Sequence, residues 1–131
     1  MPADKGLPDQ LTPLREPTTF ILLALSTGEK HGYAILKEVE SLSQGRIRLS
    51  TGTLYGALAR LLDQGVIQKS ADGEGGEPDG DGPAGTRVRK YYELTRHGRR
   101  VLEAELGRME SLLSAARREL GIEGASWHTR L

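Results

Sequence analysis

Leu102, Leu106, Met109, Leu113, Ala116 and Leu120 recur at steps of 4, 3, 4, 3 and 4. That spacing is the seam of a helix that packs along a second helix. A strand cannot use it, because strand faces alternate with a period of two. Thr95 supplies a hydroxyl cap just upstream and Gly121 a stop just downstream, so one long helix over residues 96–120 is expected. The seam needs a second surface. The rest of the chain reads as short helices and a hairpin that close a small core of their own. A second copy of the chain is therefore the expected partner, held through those six residues.

Upstream, residues 1–16 hold Pro2, Pro8 and Pro13 with little apolar content and read as a flexible arm. Pro17 suits a helix's first turn, and residues 18–26 read as a short buried helix stopped near Gly28. Residues 31–43 read as a second helix, with Tyr33, Leu36, Val39 and Leu42 on its apolar face. Arg46, Ile47, Arg48 and Leu49 alternate as a short half-buried strand would. Ser50 or Thr51 caps a third helix to about residue 64, its inner face Leu54, Leu58, Leu61 and Leu62. Val66 and Ile67 open a strand, and residues 87–94 alternate again. Between them, residues 72–85 carry six Gly, two Pro and five acids, a loop that cannot fill a core. The whole is a hairpin with a long tip.

The order helix, helix, strand, helix, hairpin, helix is that of a winged helix-turn-helix, mainly α with a small β-hairpin. The expected units are an arm over residues 1–16 and a winged head over 17–95 containing the acidic wing loop 72–86. A dimerisation helix over 96–121 and a tail over 122–131 follow.

Formal charge is zero, which by itself argues against nucleic acid. The charge is segregated, however. Asp72, Glu74, Glu77, Asp79 and Asp81 stand in a stretch with no base, so the remainder carries +5. Much of that lies in Arg87, Arg89, Lys90, Arg96, Arg99 and Arg100, facing only Glu93. Arg87 and Arg89 share a strand face, with Lys90, Tyr91 and Tyr92 following, so this strand can track a phosphate backbone. A solvated edge strand protected by charge would look the same. On the third helix, Ser50, Thr51, Thr53, Tyr55, Gly56 and Arg60 face outward or sit at its start. Small Gly52, Gly56 and Ala57 allow close approach to a groove. Hydroxyls at a helix N-terminus bond phosphate, and Arg60 can reach phosphate or a guanine edge.

Three blocks then look like the PadR family of phenolic acid decarboxylase regulators. They are His31-Gly32-Tyr33-Ala34-Ile35, then Gly52-Thr53-Leu54-Tyr55-Gly56-Ala57-Leu58 with Gly65-Val66-Ile67, then Arg89-Lys90-Tyr91-Tyr92-Glu93-Leu94-Thr95 with Gly98. The resemblance spans about residues 17–120. It implies a dimeric transcriptional repressor on an inverted-repeat operator in double-stranded DNA, released in many members by a small-molecule effector. By position it implies that Tyr33, Ser50, Thr51, Thr53 and Tyr55 contact the DNA backbone or shape the turn. Lys90 and its neighbours, Tyr92 among them, become wing contacts. Gly56 departs from the family's usual proline, and the wing tip is longer and more acidic than usual.

Other signals lack context. Gly80-Asp81-Gly82-Pro83-Ala84-Gly85 matches a dinucleotide pattern, but no strand precedes it and no helix follows. Pro83 stands where a calcium loop beginning at Asp72 needs glutamate. His31, His97 and His128 lack ligand spacing, and there is no cysteine, so neither metal nor cofactor is expected. No catalytic constellation assembles, so no enzyme is expected. Trp127 reads as a docking residue in the tail. With no signal-like or membrane-length apolar run, a cytoplasmic, non-membrane protein is expected. The competing reading is a winged-helix protein-interaction module whose binding element is the acidic loop.

Overall fold

The computed structural model describes residues 14–70 and 90–122. The arm up to residue 13, the segment 72–86 with Arg87 and Arg89, and the tail from residue 123 with Trp127 lie outside them. The order is α1 (Glu16–Leu25), β1 (Lys30–His31), α2 (Gly32–Leu42), α3 (Thr51–Asp63), β2 (Ile67–Ser70), β3 (Tyr91–Leu94) and α4 (Arg96–Leu120).

Local chemistry sets these boundaries. Pro17 lies in the first turn of α1, and at its other end the Lys30 ammonium donates to the Ala24 carbonyl at 2.6 Å. A cation there complements the helix dipole. His31 caps α2, its Nδ1 accepting from the Ala34 N–H at 3.3 Å. Ser50 caps α3 and Thr95 caps α4, each accepting from the N–H three residues on. Gly121, at φ 70°, ends α4 in the left-handed conformation that side chains resist.

The three strands form one antiparallel sheet in the order β1-β3-β2. In register, Lys30 and His31 pair with Tyr92 and Tyr91, while Ile67 to Ser70 pair with Leu94 to Tyr91. The expected strand at residues 46–49 is not formed; the third strand is Lys30–His31 instead. Ile47 and Leu49 do turn inward, as the alternation required, but β1 already occupies the free edge of β3. The Ile47 N–H goes to the Ser43 hydroxyl at 2.9 Å.

One core joins the four helices with β2 and β3, with Ile21, Leu22, Ile35, Val39, Leu54, Leu58, Val66, Ile67, Tyr92 and Val101 among its members. Two inner faces differ from expectation. On α2 the buried stripe is Gly32, Ile35 and Val39, while Tyr33 and Leu42 are exposed. Steps of three drift by about 60° each around a 3.6-residue helix, so a run of three such steps ends on the opposite side. On α3, Ala57 joins the core rather than the outer face.

The wing root and the start of α4 share a joint. The Thr95 hydroxyl donates toward the Gly65 and Val66 carbonyls at 2.7 and 3.0 Å. Gly98 packs directly on the Val66 carbonyl, where a Cβ would overlap it. Among the described residues, no helix is long and apolar enough to cross a membrane.

Candidate nucleic-acid interface

The outer face of α3 opens at its first turn. Thr51, Gly52 and Thr53 are exposed, and a Cβ at Gly52 would meet nothing within 4 Å. The Ser50 hydroxyl is engaged locally, donating to Thr53 Oγ1 at 3.0 Å while accepting from the Thr53 N–H at 3.1 Å. That arrangement orders the turn and leaves Thr51 outward. Further along, the Arg60 guanidinium folds back so that Nη1 lies 3.8 Å from where a Gly56 Cβ would be. Glycine at this position therefore leaves a shallow gap that the arginine overhangs.

The start of α2 meets α3 through Tyr55. The Tyr55 phenol lies on Gly32, where a Cβ would collide with it. Tyr55 is consequently half-buried, and its ring joins two helices before it can reach a ligand. Tyr33, next to Gly32, is 60% exposed. The Lys37 ammonium sits 5.7 Å from the centre of its ring. Sequence reasoning missed Lys37; its signal was the four-residue spacing from Tyr33, which puts both on one face.

Cations in the turn before α3 are engaged by carboxylates. Arg46 pairs with Glu16 at 2.7 Å and lies over the Phe20 ring, while Arg48 pairs with Glu40 at 3.2 Å. Both pairs are exposed, so their contribution to stability is small.

Of the wing candidates, Lys90 is exposed at the root of β3. Arg87 and Arg89 lie outside the described residues. Tyr92 is a correction: it is 4% exposed and packs in the core, so it cannot meet a nucleic acid. Its neighbour Tyr91 meets the His31 ring edge-on at 5.5 Å. Strand alternation allows only one of the two tyrosines inside, and the core takes Tyr92.

On α4 the six seam residues divide. Leu102 is 3% exposed and belongs to the core of its own head, a second correction. Leu106, Leu113 and Leu120 are exposed, Met109 and Ala116 half-buried. Leu112, outside the heptad spacing, is exposed as well. Glu105, between the two groups, is a buried carboxylate that the sequence did not mark. The Arg108 guanidinium donates to it at 2.6 and 3.3 Å, and the Leu14 N–H donates at 3.3 Å. The Arg108 hydrogen bond holds its pKa below the ordinary carboxylate value, against the opposing effect of burial.

A cavity of about 170 Å³ opens between the N-terminal end of α1, α3 and α4. Leu14, Arg15, Thr18, Ala57, Arg60 and Val101 are in its wall. Among the described residues, no three His, Cys, Asp or Glu side chains gather as metal ligands would.

The model of the transcriptional regulator PadR-like family matches residues 21–104. The chain is 36% identical over 86 residues to an uncharacterised 37.1 kDa protein in transposon TN4556 of Streptomyces fradiae, covering 64% of this chain and 24% of that one. It is 32% identical over 92 residues to the transcriptional regulator YqjI of Escherichia coli (strain K12), covering 70% of this chain and 38% of that one. The chain thus spans well under half the length of these curated relatives. Among solved structures, Bacillus subtilis PadR in complex with operator DNA superposes with a TM-score of 0.55 at 26% identity. That match covers 70% of this chain and 47% of the Bacillus chain.

Proposed function

Because the chain belongs to the transcriptional regulator PadR-like family, we propose that it is a repressor binding an inverted-repeat operator in double-stranded DNA as a homodimer. The observation that carries this reading is the open first turn of α3. Thr51, Gly52 and Thr53 are exposed there, and the Tyr55 ring fixes the turn against the start of α2 beside exposed Tyr33. Such a helix enters the major groove by its N-terminal end, with hydroxyls and the α2 start on the flanking phosphates. Arg60 and Lys37 extend the cationic margin, and Lys90 begins the wing contacts, which Arg87 and Arg89 continue. The operator-bound state of the Bacillus subtilis relative supports the same assignment.

The partner surface is the apolar run on α4 of exposed Leu106, Leu113 and Leu120 with half-buried Met109 and Ala116 between them. Large apolar side chains facing water along a helix are a partner's footprint. Release from DNA is assigned to a small effector in the cavity between α1, α3 and α4. It acts only through a difference in affinity between the DNA-competent and incompetent arrangements.

Selection of bound fragments from random DNA tests the core of this reading. A consensus inverted repeat, with affinity falling steeply as salt rises, is the expected result. A monomeric protein that ignores DNA in dilute buffer would overturn it. A flat salt response would turn the assignment toward a protein-interaction module.

A further inference from the structure

The long helix α4 is fastened to its own head at both ends of α1. Near the C-terminal end of α1, Arg99 Nη2 donates to the Ser26 carbonyl at 3.3 Å. At the other end, Glu105 Oε1 accepts from the Leu14 N–H at 3.3 Å, while Arg108 grips both carboxylate oxygens. Glu105 has no exposed surface. A buried carboxylate is expensive unless each lone pair finds a donor, and here a main-chain N–H and a guanidinium supply them. The exposed seam begins at the next residue, Leu106. One turn of α4 therefore ends the section tied to the head and starts the section offered to a partner.

We infer that Glu105 is the positioning residue that sets the half-site spacing of the dimer, by fixing the angle at which α4 leaves the head. The inference rests on the dimeric DNA-binding function proposed above. From Glu105 to Leu113 α4 rises about 12 Å, so a tilt of about 15° at Glu105 displaces the seam by about 3 Å. That is roughly the rise of one base pair, and each protomer contributes its own displacement. Loosening this one turn is thus large enough to change which operator spacing the two α3 helices fit.

The test measures affinity of the full chain for its selected inverted repeat and for repeats with spacers one and two base pairs longer or shorter. The wild type should lose affinity steeply away from the best spacer, and Glu105→Ala should flatten that profile by about tenfold. Glu105→Gln keeps an acceptor for the Leu14 N–H but loses the charge facing Arg108. It should flatten the profile partway, and it decides the matter if the alanine variant does not fold. Lower melting temperatures with an unchanged spacing profile would mean that Glu105 only stabilises the head, which overturns the inference. If the wild type shows no inverted-repeat binding, the underlying function fails first and takes the inference with it.

Discussion

The phenol of Tyr55 on α3 rests on the backbone of Gly32 at the start of α2, so closely that the glycine cannot acquire a Cβ without displacing it. Two helices that must be presented together are spaced by the absence of one carbon atom. Gly32→Ala should destabilise the head by about 1–3 kcal/mol, the range for forced overpacking. Tyr55→Leu in the same chain should recover part of the loss. Thermal unfolding of the single and double variants gives the coupling between the two positions.

Gly98 makes the tighter demand, because its neighbour is a main-chain carbonyl. Val66 O cannot swing away as a side chain does. Gly98→Ala is expected to destabilise by at least about 2 kcal/mol, and second-site changes of side chain should not rescue it. Denaturant unfolding checks both statements.

Leu102 and Leu113 should fail in different ways. Leu102→Ala empties a site in the head's own core and should lower stability by about 2–5 kcal/mol. Leu113→Arg leaves the head intact and should convert dimer to monomer, read by sedimentation. Equal effects on assembly from the two substitutions would contradict the division of the seam at Glu105.

Acid should release Glu105. Its folded pKa is depressed, chiefly by the Arg108 hydrogen bond, so its contribution is complete above the ordinary carboxylate value of about 4.3. The contribution is lost as pH falls through the depressed value. The stability difference between wild type and Glu105→Gln should therefore be constant near neutrality and shrink below about pH 4. A difference that grows on acidification would reverse the sign.

Tyr33→Ala and Lys37→Ala should weaken DNA binding with little change in melting temperature, since both side chains are exposed. Removing the Lys37 charge should also reduce the salt slope by about one. Tyr92→Ala should do the opposite, destabilising by about 3–5 kcal/mol as other core aromatics do.

Much of the fold was legible because its signals are local. The hydroxyls of Ser50 and Thr95 cap the helices they precede, and α4 runs over the residues its spacing marked. What escaped depends on neighbours. Arg46 to Leu49 alternates as a strand does, yet a strand needs an unoccupied edge, and two-residue β1 is too short to show any period. A 3.5-residue spacing shows that Leu102 is covered but not by which surface. Glu105 and Arg108 look like any surface pair three residues apart, because the Leu14 N–H that meets Glu105 comes from the far end of the chain. In the candidate interface, hydroxyls and cations were readable by type, whereas the burial of Tyr92 rests on a choice between adjacent tyrosines that only packing makes.

Ser70 and Tyr91 are register partners, so the two ends of the intervening segment emerge side by side from a closed ladder. The root is anchored by Thr95 and Gly98, and for a flexible connection between two such ends each doubling of length costs only about 0.6 kcal/mol of closure entropy. An insertion between these two ends should therefore leave the register of the ladder beneath unchanged. The same spot is the natural place to splice an epitope or a fluorophore-bearing peptide into a working regulator.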